Sequence, residues 1–219
     1  MHQDGGSLLP FDPIKSRSIS LAKYHAVAVT GLALRGLLAN AWPRDQFPSA
    51  EFRLFQTKDL QTPQQVNTGV SVYLHRIAFN TTRRNLPPRQ TLVGKRYRPP
   101  TPVDLHFLIT AWGRTAEEQQ ALLGWAIRTL EDTPVLSAGL LNRFAGDWGE
   151  VFHENETVEL VGDILSLQDL YNIWEIAKHN HQPSVSYIAR MIYLDSEVEL
   201  TEASPVQTRA FEYNGIVVQ

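Results

Sequence analysis

From Val103 to Trp112 the chain alternates. Val103, Leu105, Phe107, Ile109 and Ala111 fall on one side, Asp104, His106 and Thr110 on the other. Side chains along a strand point to opposite faces in turn, so this pattern reads as a half-buried β-strand. Such a strand commits the chain to a sheet with a packed layer on its apolar face. The next segment supplies a layer. Thr115 and Glu118 have capping-box spacing, in which each side chain satisfies a free backbone N–H at the helix start. Leu122, Trp125, Ala126 and Leu130 then form a buried helical stripe, and Pro134 stops it.

The remaining pattern extends this plan. A helix is expected from about Ser20 to Ala41, with Ser20 as cap and Pro43 after its end. Its apolar residues cover more than one face, so it is buried on two sides, within the domain or between subunits. Strands are expected at Glu51–Thr57 and Thr68–Thr81. In the second, the apolar phase moves from Val70, Val72 and Leu74 to Ile77 and Phe79, which places a bulge near His75 and Arg76. Leu136–Gly149 reads as irregular and Thr157–Leu165 as a strand. Ser166 with Asp169 opens a third helix, whose expected stripe is Leu167, Leu170, Tyr171, Trp174 and Ala177. Ser184–Asp195 is apolar on both faces, which suits a central or interface strand. The predicted fold is α+β: a single domain with a mixed, mostly antiparallel sheet, about three helices packed on it, and extended termini. The predicted divisions are an N-terminal extension at 1–19, a domain at 20–196 and a C-terminal arm at 197–219.

At 219 residues the chain can bury a full core without a disulfide or metal staple. It has no cysteine, which removes disulfides, thiolate metal sites and cysteine nucleophiles. The formal net charge of −3 is not that of a whole-chain nucleic-acid binder. Met1–Pro13 lacks the basic flank and apolar run of a signal peptide. Leu21–Trp42, the most apolar stretch, carries Lys23, His25 and Arg35 and is a poor bilayer span. Cytoplasmic synthesis without direct membrane insertion is the expectation.

Catalytic signatures are missing from the sequence. No G-x-G-x-x-G follows a strand, and Gly94-Lys95 fails as a phosphate loop because Arg89 and Arg96 stand where glycine and a hydroxyl are needed. There is no G-x-S-x-G and no H-E-x-x-H. His179 and His181 lie two apart at a helix end, a spacing that does not share a metal on a helix. Asp104 and His106 share a strand face and read as an ordinary hydrogen bond; with Asp163 they are the residues from which a scattered enzyme site would be built. No catalytic, cofactor or metal residues are assigned.

One charged feature remains. Thr82–Pro102 holds five prolines, no acidic residue, and the cations Arg83, Arg84, Arg89, Lys95, Arg96 and Arg98. With these prolines it cannot be a regular element, and a connection this long is usually functional or mobile. These six residues are the candidate partner-binding set. They suit docking onto an acidic protein, contact with phosphates, or plain solvation. Tyr97 is the one aromatic interleaved, which argues against a stacking platform for single strands.

Three segments together carry a resemblance. Leu108-Ile109-Thr110-Ala111-Trp112, Glu117-Glu118-Gln119, Leu122-Leu123-Gly124, Leu130 and Pro134-Val135-Leu136 form a "TAW…E…LLG…L…PVL" stretch. Leu165 to Leu170, Ile173-Trp174 and Pro183 to Tyr187 form an "LS…DL…IW…PSVSY" end, and Tyr24-His25-Ala26-Val27 lies in the opening helix. In order and spacing these resemble the DUF4255 family, also called the Pvc16 N-terminal domain, over roughly residues 20 to 196. The resemblance implies a tail terminator or cap of a phage-tail-like contractile injection system. Such a subunit forms a hexameric ring, of itself or with a paralogue, on the last tube and sheath layers at the end distal to the baseplate. It implies no enzyme activity and no cofactor. The alternative from the residues alone is a nucleic-acid-binding module using the basic loop 83–98. Met1–Ile19 and the arginine-rich loop depart from the family pattern. Leu8, Leu9 and Phe11 near one end, and Ile216-Val217-Val218 at the other, suit arms that order on a neighbouring subunit.

Overall fold

The computed structural model describes residues 24–61, 66–83, 85–91, 94–177 and 180–200, together with the backbone of two short strands at 211–213 and 216–218. The elements in chain order are α1 (Ala26–Ala41), β1 (Glu51–Phe55), α2 (Thr57–Gln61), β2 (Gly69–Phe79), β3 (Arg89–Gln90), β4 (Arg96–Tyr97) and β5 (Thr101–Trp112). They continue with α3 (Ala116–Glu131), β6 (Val135–Ser137), α4 (Ala138–Asn142), a 3-10 turn (Gly146–Trp148), β7 (Thr157–Asp163), α5 (Leu167–Ala177), β8 (Ser184–Leu194), β9 (Phe211–Tyr213) and β10 (Ile216–Val218).

Six strands form one mixed sheet in the order β1-β2-β5-β8-β7-β6. Only β1 and β2 run parallel, joined through α2, as a parallel pair requires a crossover. The architecture is α+β, as the alternating segments predicted. The expected bulge is present: the β2–β5 register shifts between Leu74 and Arg76. Past it, Ile77 and Phe79 face the same side as Leu105 and Val103. A second irregularity lies between β5 and β8 at Val103/Leu105, where Met191 takes φ 58°. The Asp104 carboxylate holds that bend, accepting from Met191 N at 2.8 Å and from Asn80 Nδ2 at 3.0 Å.

The main core lies on one face of the sheet. Val70, Val72, Phe107, Ile109 and Tyr187 pack there against Val29, Leu34 and Leu38 of α1, Leu130 of α3 and Leu141 of α4. α1 is buried on two sides inside the domain, as expected, between the sheet and α3 with α4. Gly36 lies under the Phe144 ring, where a Cβ would meet Cε1 at 2.0 Å. The expected helix start, Ser20, lies outside the described residues.

Three local expectations are corrected. β5 is not half-buried: Leu108 and Thr110 on its second face are fully buried, because α2 and α5 bring Leu60 and Trp174 over them. The Thr110 hydroxyl is satisfied there by Ser184 Oγ at 2.9 Å. Leu136–Gly149 is not irregular. It holds the end of β6, then α4 capped by Ser137, whose Oγ accepts from Leu140 N, and the 3-10 turn. The Thr82–Pro102 connection contains the β3–β4 hairpin, with Arg89 opposite Tyr97 and Gln90 opposite Arg96. Prolines flank that hairpin rather than enter it, and Gly94 at φ +82° sits in its turn. β8 lies between β5 and β7, the central place that its two apolar faces predicted.

Candidate functional site

The basic hairpin is the first candidate surface, and its cations divide. Arg89 on β3 points inward. Its Nη1 donates to Asp195 Oδ2 and its Nη2 to Glu156 Oε1, both at 2.7 Å. The Asp195 side chain is 2% exposed, and His153 Nε2 stands 3.5 Å from the same Oδ2. The other oxygen of Glu156 accepts from His153 N at 2.9 Å. His153, Glu156 and Asp195 lie close enough together to share a cation, and the Arg89 guanidinium fills that role. A planar fork between two carboxylates is the geometry at which arginine exceeds lysine.

Lys95 pairs with Glu199 at 3.0 Å in the open. The backbone around Glu199 makes an isolated antiparallel bridge to β4 at Tyr97: Arg98 N donates to Val198 O and Leu200 N to Arg96 O. The first part of the expected C-terminal arm is thus tied to this chain's own hairpin. Arg83 and Arg98 are exposed, as is Arg96. Arg84 lies outside the described residues. A phosphate-binding surface needs cations directed at solvent, and Arg89 and Lys95 are already matched by carboxylates within the chain.

The scattered acid–base residues do not assemble as the sequence suggested. Asp104 is occupied at the β8 bend, and His106 Nδ1 instead meets Asp163 Oδ2 at 3.1 Å. Ser186 Oγ donates to the same carboxylate oxygen at 3.3 Å, and His75 Nε2 lies 3.5 Å from that hydroxyl. Burial, and then the neighbouring His106, hold His75 down at about 4. Ser186 is 6% exposed. This arrangement ties β2, β5, β7 and β8 together across the second face, and its hydroxyl is directed at a carboxylate rather than into a cleft. His181 stacks edge-on against Trp174, and its expected companion His179 lies outside the described residues.

Sequence reasoning missed the apolar surfaces. Leu167 and Tyr171 were expected in the buried stripe of α5, yet they are 87% and 62% exposed, and Ile164 before them is 98% exposed. Trp174 and Ala177 are the residues of α5 that are buried. The signal was available: Leu167, Leu170, Tyr171, Ile173, Trp174 and Ile176 span too wide an arc for one buried face. On the first face of the sheet, Tyr24, Leu54, Ile77, Phe79 and Trp148 are also exposed. Large exposed apolar side chains in groups mark interaction surfaces.

A family model described as the Pvc16 N-terminal domain matches residues 30–208. The chain belongs to the Pvc16 N-terminal domain family. Its fold is similar to the sheath and tube terminator of the extracellular contractile injection system PVC in the extended state, with a TM-score of 0.57 at 16% identity. That likeness covers 85% of this chain and 62% of the other. The cap that terminates the tube of the anti-feeding prophage is similar at TM-score 0.55 and 13% identity, over 83% of this chain and 59% of that one. This member of the Pvc16 N-terminal domain family therefore spans less than two thirds of the length of both structures. No curated protein matches its sequence. Among the described residues, no helix is long and apolar enough to cross a membrane.

Proposed function

We propose that this chain is a structural subunit of a phage-tail-like contractile injection system. In this reading it forms a ring, a hexamer matching a six-fold tube, that caps tube and sheath at the end distal to the baseplate. The observation that supports the reading best is the family match over residues 30–208. The two similar folds, one a sheath and tube terminator and the other a tube cap, agree with it. Large exposed apolar groups on both faces of the sheet are what a subunit needs to bury surface against neighbours. The subunit acts without catalysis, through contacts with its own copies or a paralogue, the tube and the sheath. In the basic loop, Arg83, Arg84, Arg96 and Arg98 are assigned to meet an acidic partner surface. Arg89 holds the loop to the domain.

The experiment is electron microscopy of particles that carry a labelled copy of this chain, compared with particles from cells lacking it. The label should sit at the end distal to the baseplate, in six-fold symmetry. Particles without the chain should have tubes and sheaths of irregular length. Label along the sheath, at the baseplate or absent from the particle refutes the reading.

A further inference from the structure

Two apolar surfaces of this chain lie on opposite faces of its sheet and cannot meet within one molecule. The first is concave. Tyr24, Leu54 and Trp148 rim a cavity of about 410 Å³ over Val27, Leu74 and Phe107. It exists because β2 runs on past the start of α1, so the helix layer ends before the sheet does. Ile77 and Phe79 carry the apolar surface further along that strand, with Phe79 73% exposed. Arg35 follows at the other end. Residues 28, 31 and 35 form one stripe of α1 at helical spacing, with Tyr24 just before the helix. Arg35 Nε is buried with no hydrogen-bond partner, and among the described residues no carboxylate pairs with it. A desolvated guanidinium N–H without an acceptor is costly, so the position favours an acceptor arriving from outside.

The second surface is convex. Ile164, Leu167 and Tyr171 project from the β7–α5 junction and the first turns of α5. Glu175 stands one turn beyond Tyr171 and accepts its hydroxyl. Asp163 and Asp169 flank the ridge. Ridge and groove thus have complementary contents. One is apolar and ends in a carboxylate, the other is apolar and ends in a guanidinium whose Nε has no acceptor among the described residues. In both, the charge follows the apolar stripe by one helical turn.

We propose that the Ile164–Leu167–Tyr171 ridge of one copy seats in the Tyr24–Leu54–Trp148 groove of the next, with Glu175 meeting Arg35. Contact between two different patches is heterologous, and a heterologous contact closes into a ring when the rotation permits. The inference rests on the ring reading above and names the surfaces that build the ring. An isologous pairing, ridge on ridge, would leave Arg35 without an acceptor and place Glu175 near its own copy.

The native chain has no cysteine, so introduced thiols report contacts without background. The full-length double variant Leu54→Cys/Leu167→Cys, oxidised in purified particles, should give a ladder of disulfide-linked copies ending at the closed ring. Each single variant alone should give none. A ring at the tube end without the ladder overturns the inference and leaves the terminator reading standing. Dimers from either single variant overturn it in favour of an isologous contact, and a small apolar molecule recovered from the groove overturns it in favour of a ligand site. If the double variant does not enter particles, charge reversal decides. Arg35→Glu and Glu175→Arg should each lower incorporation by about tenfold or more, and their combination should restore it. Failure of the combination to restore incorporation overturns the pairing. A chain absent from the tube end counts against the terminator reading alone; the same reversal series, scored by oligomer size in solution, then tests the ridge and groove.

Discussion

Replacing Arg89 with Met tests whether this loop cation is structural or presented to a partner. Met keeps the length of the side chain and removes both charged hydrogen bonds, to Asp195 and Glu156, each 2.7 Å long in the native protein. Asp195 has a 2% exposed side chain, so its carboxylate stays out of water when the guanidinium is gone. Removing one partner of a buried pair costs about 3–5 kcal/mol. Two features lower that figure here. Glu156 is nearer the surface, and its other oxygen keeps the hydrogen bond from His153 N at 2.9 Å. The expected loss is about 2–4 kcal/mol, or a fall in Tm of roughly 5–12 °C for a chain of this size. The assay is thermal unfolding at pH 7.5. Arg98→Ser is the control. It is exposed, so its Tm should stay within about 1 °C, while its incorporation into particles should fall at low salt, and the difference from the wild type should narrow at high salt. An Arg89→Met protein that melts with the wild type would refute the internal role and return Arg89 to the docking set.

Two further outcomes follow from local geometry. Gly69 opens β2 at φ +149°, and a Cβ there would lie 1.9 Å from Glu51 O, so Gly69→Ala should cost roughly 3 kcal/mol or more by chemical denaturation; an unchanged midpoint would mean that the β1–β2 pairing is not as described. His75 is held at about 4 against an ordinary value near 6.5, so the unfolded chain takes up a proton between those values that the folded chain refuses. Its contribution to stability is complete above about pH 6.5 and is lost as pH falls toward 4. His75→Gln should therefore lose less Tm than the wild type between pH 7.5 and pH 4.5, and equal losses would remove His75 as the cause.

Local patterning predicted the longer elements, since strand and helix periodicities, caps and breakers act over a few residues. Ser166 caps α5 through Asp169 N at 3.0 Å, and Thr115 Oγ1 accepts from Glu118 N at 3.2 Å. The capping box is only partly realised. Glu118 reaches back to Arg114 N and to the Thr68 hydroxyl instead of Thr115 N. The β2 bulge was readable because a one-residue phase slip moves every later side chain to the other face. The β3–β4 hairpin was not. It is two residues a side, too short for a periodicity, and it is held through Arg89 by Glu156 and Asp195, which lie far along the chain.

The sequence by itself determined the order of the longer strands and helices, the α+β class, the bulge and the family resemblance, because each is written in short-range spacing. Only the tertiary structure decided which cations are open to a partner. Arg83 and Arg89 look alike in a basic loop, and the difference is that Glu156 and Asp195, far along the chain, fold against one of them. The same holds for the apolar surfaces. A periodic stripe says that a helix has an apolar face, but not how much of that face its own domain covers. The cover depends on where neighbouring elements end, as with α1 over β2, and on how little of α5 the sheet and α2 take up. What they leave bare, Ile164, Leu167 and Tyr171 on one side and Tyr24, Leu54 and Trp148 on the other, appears only once the layers are stacked.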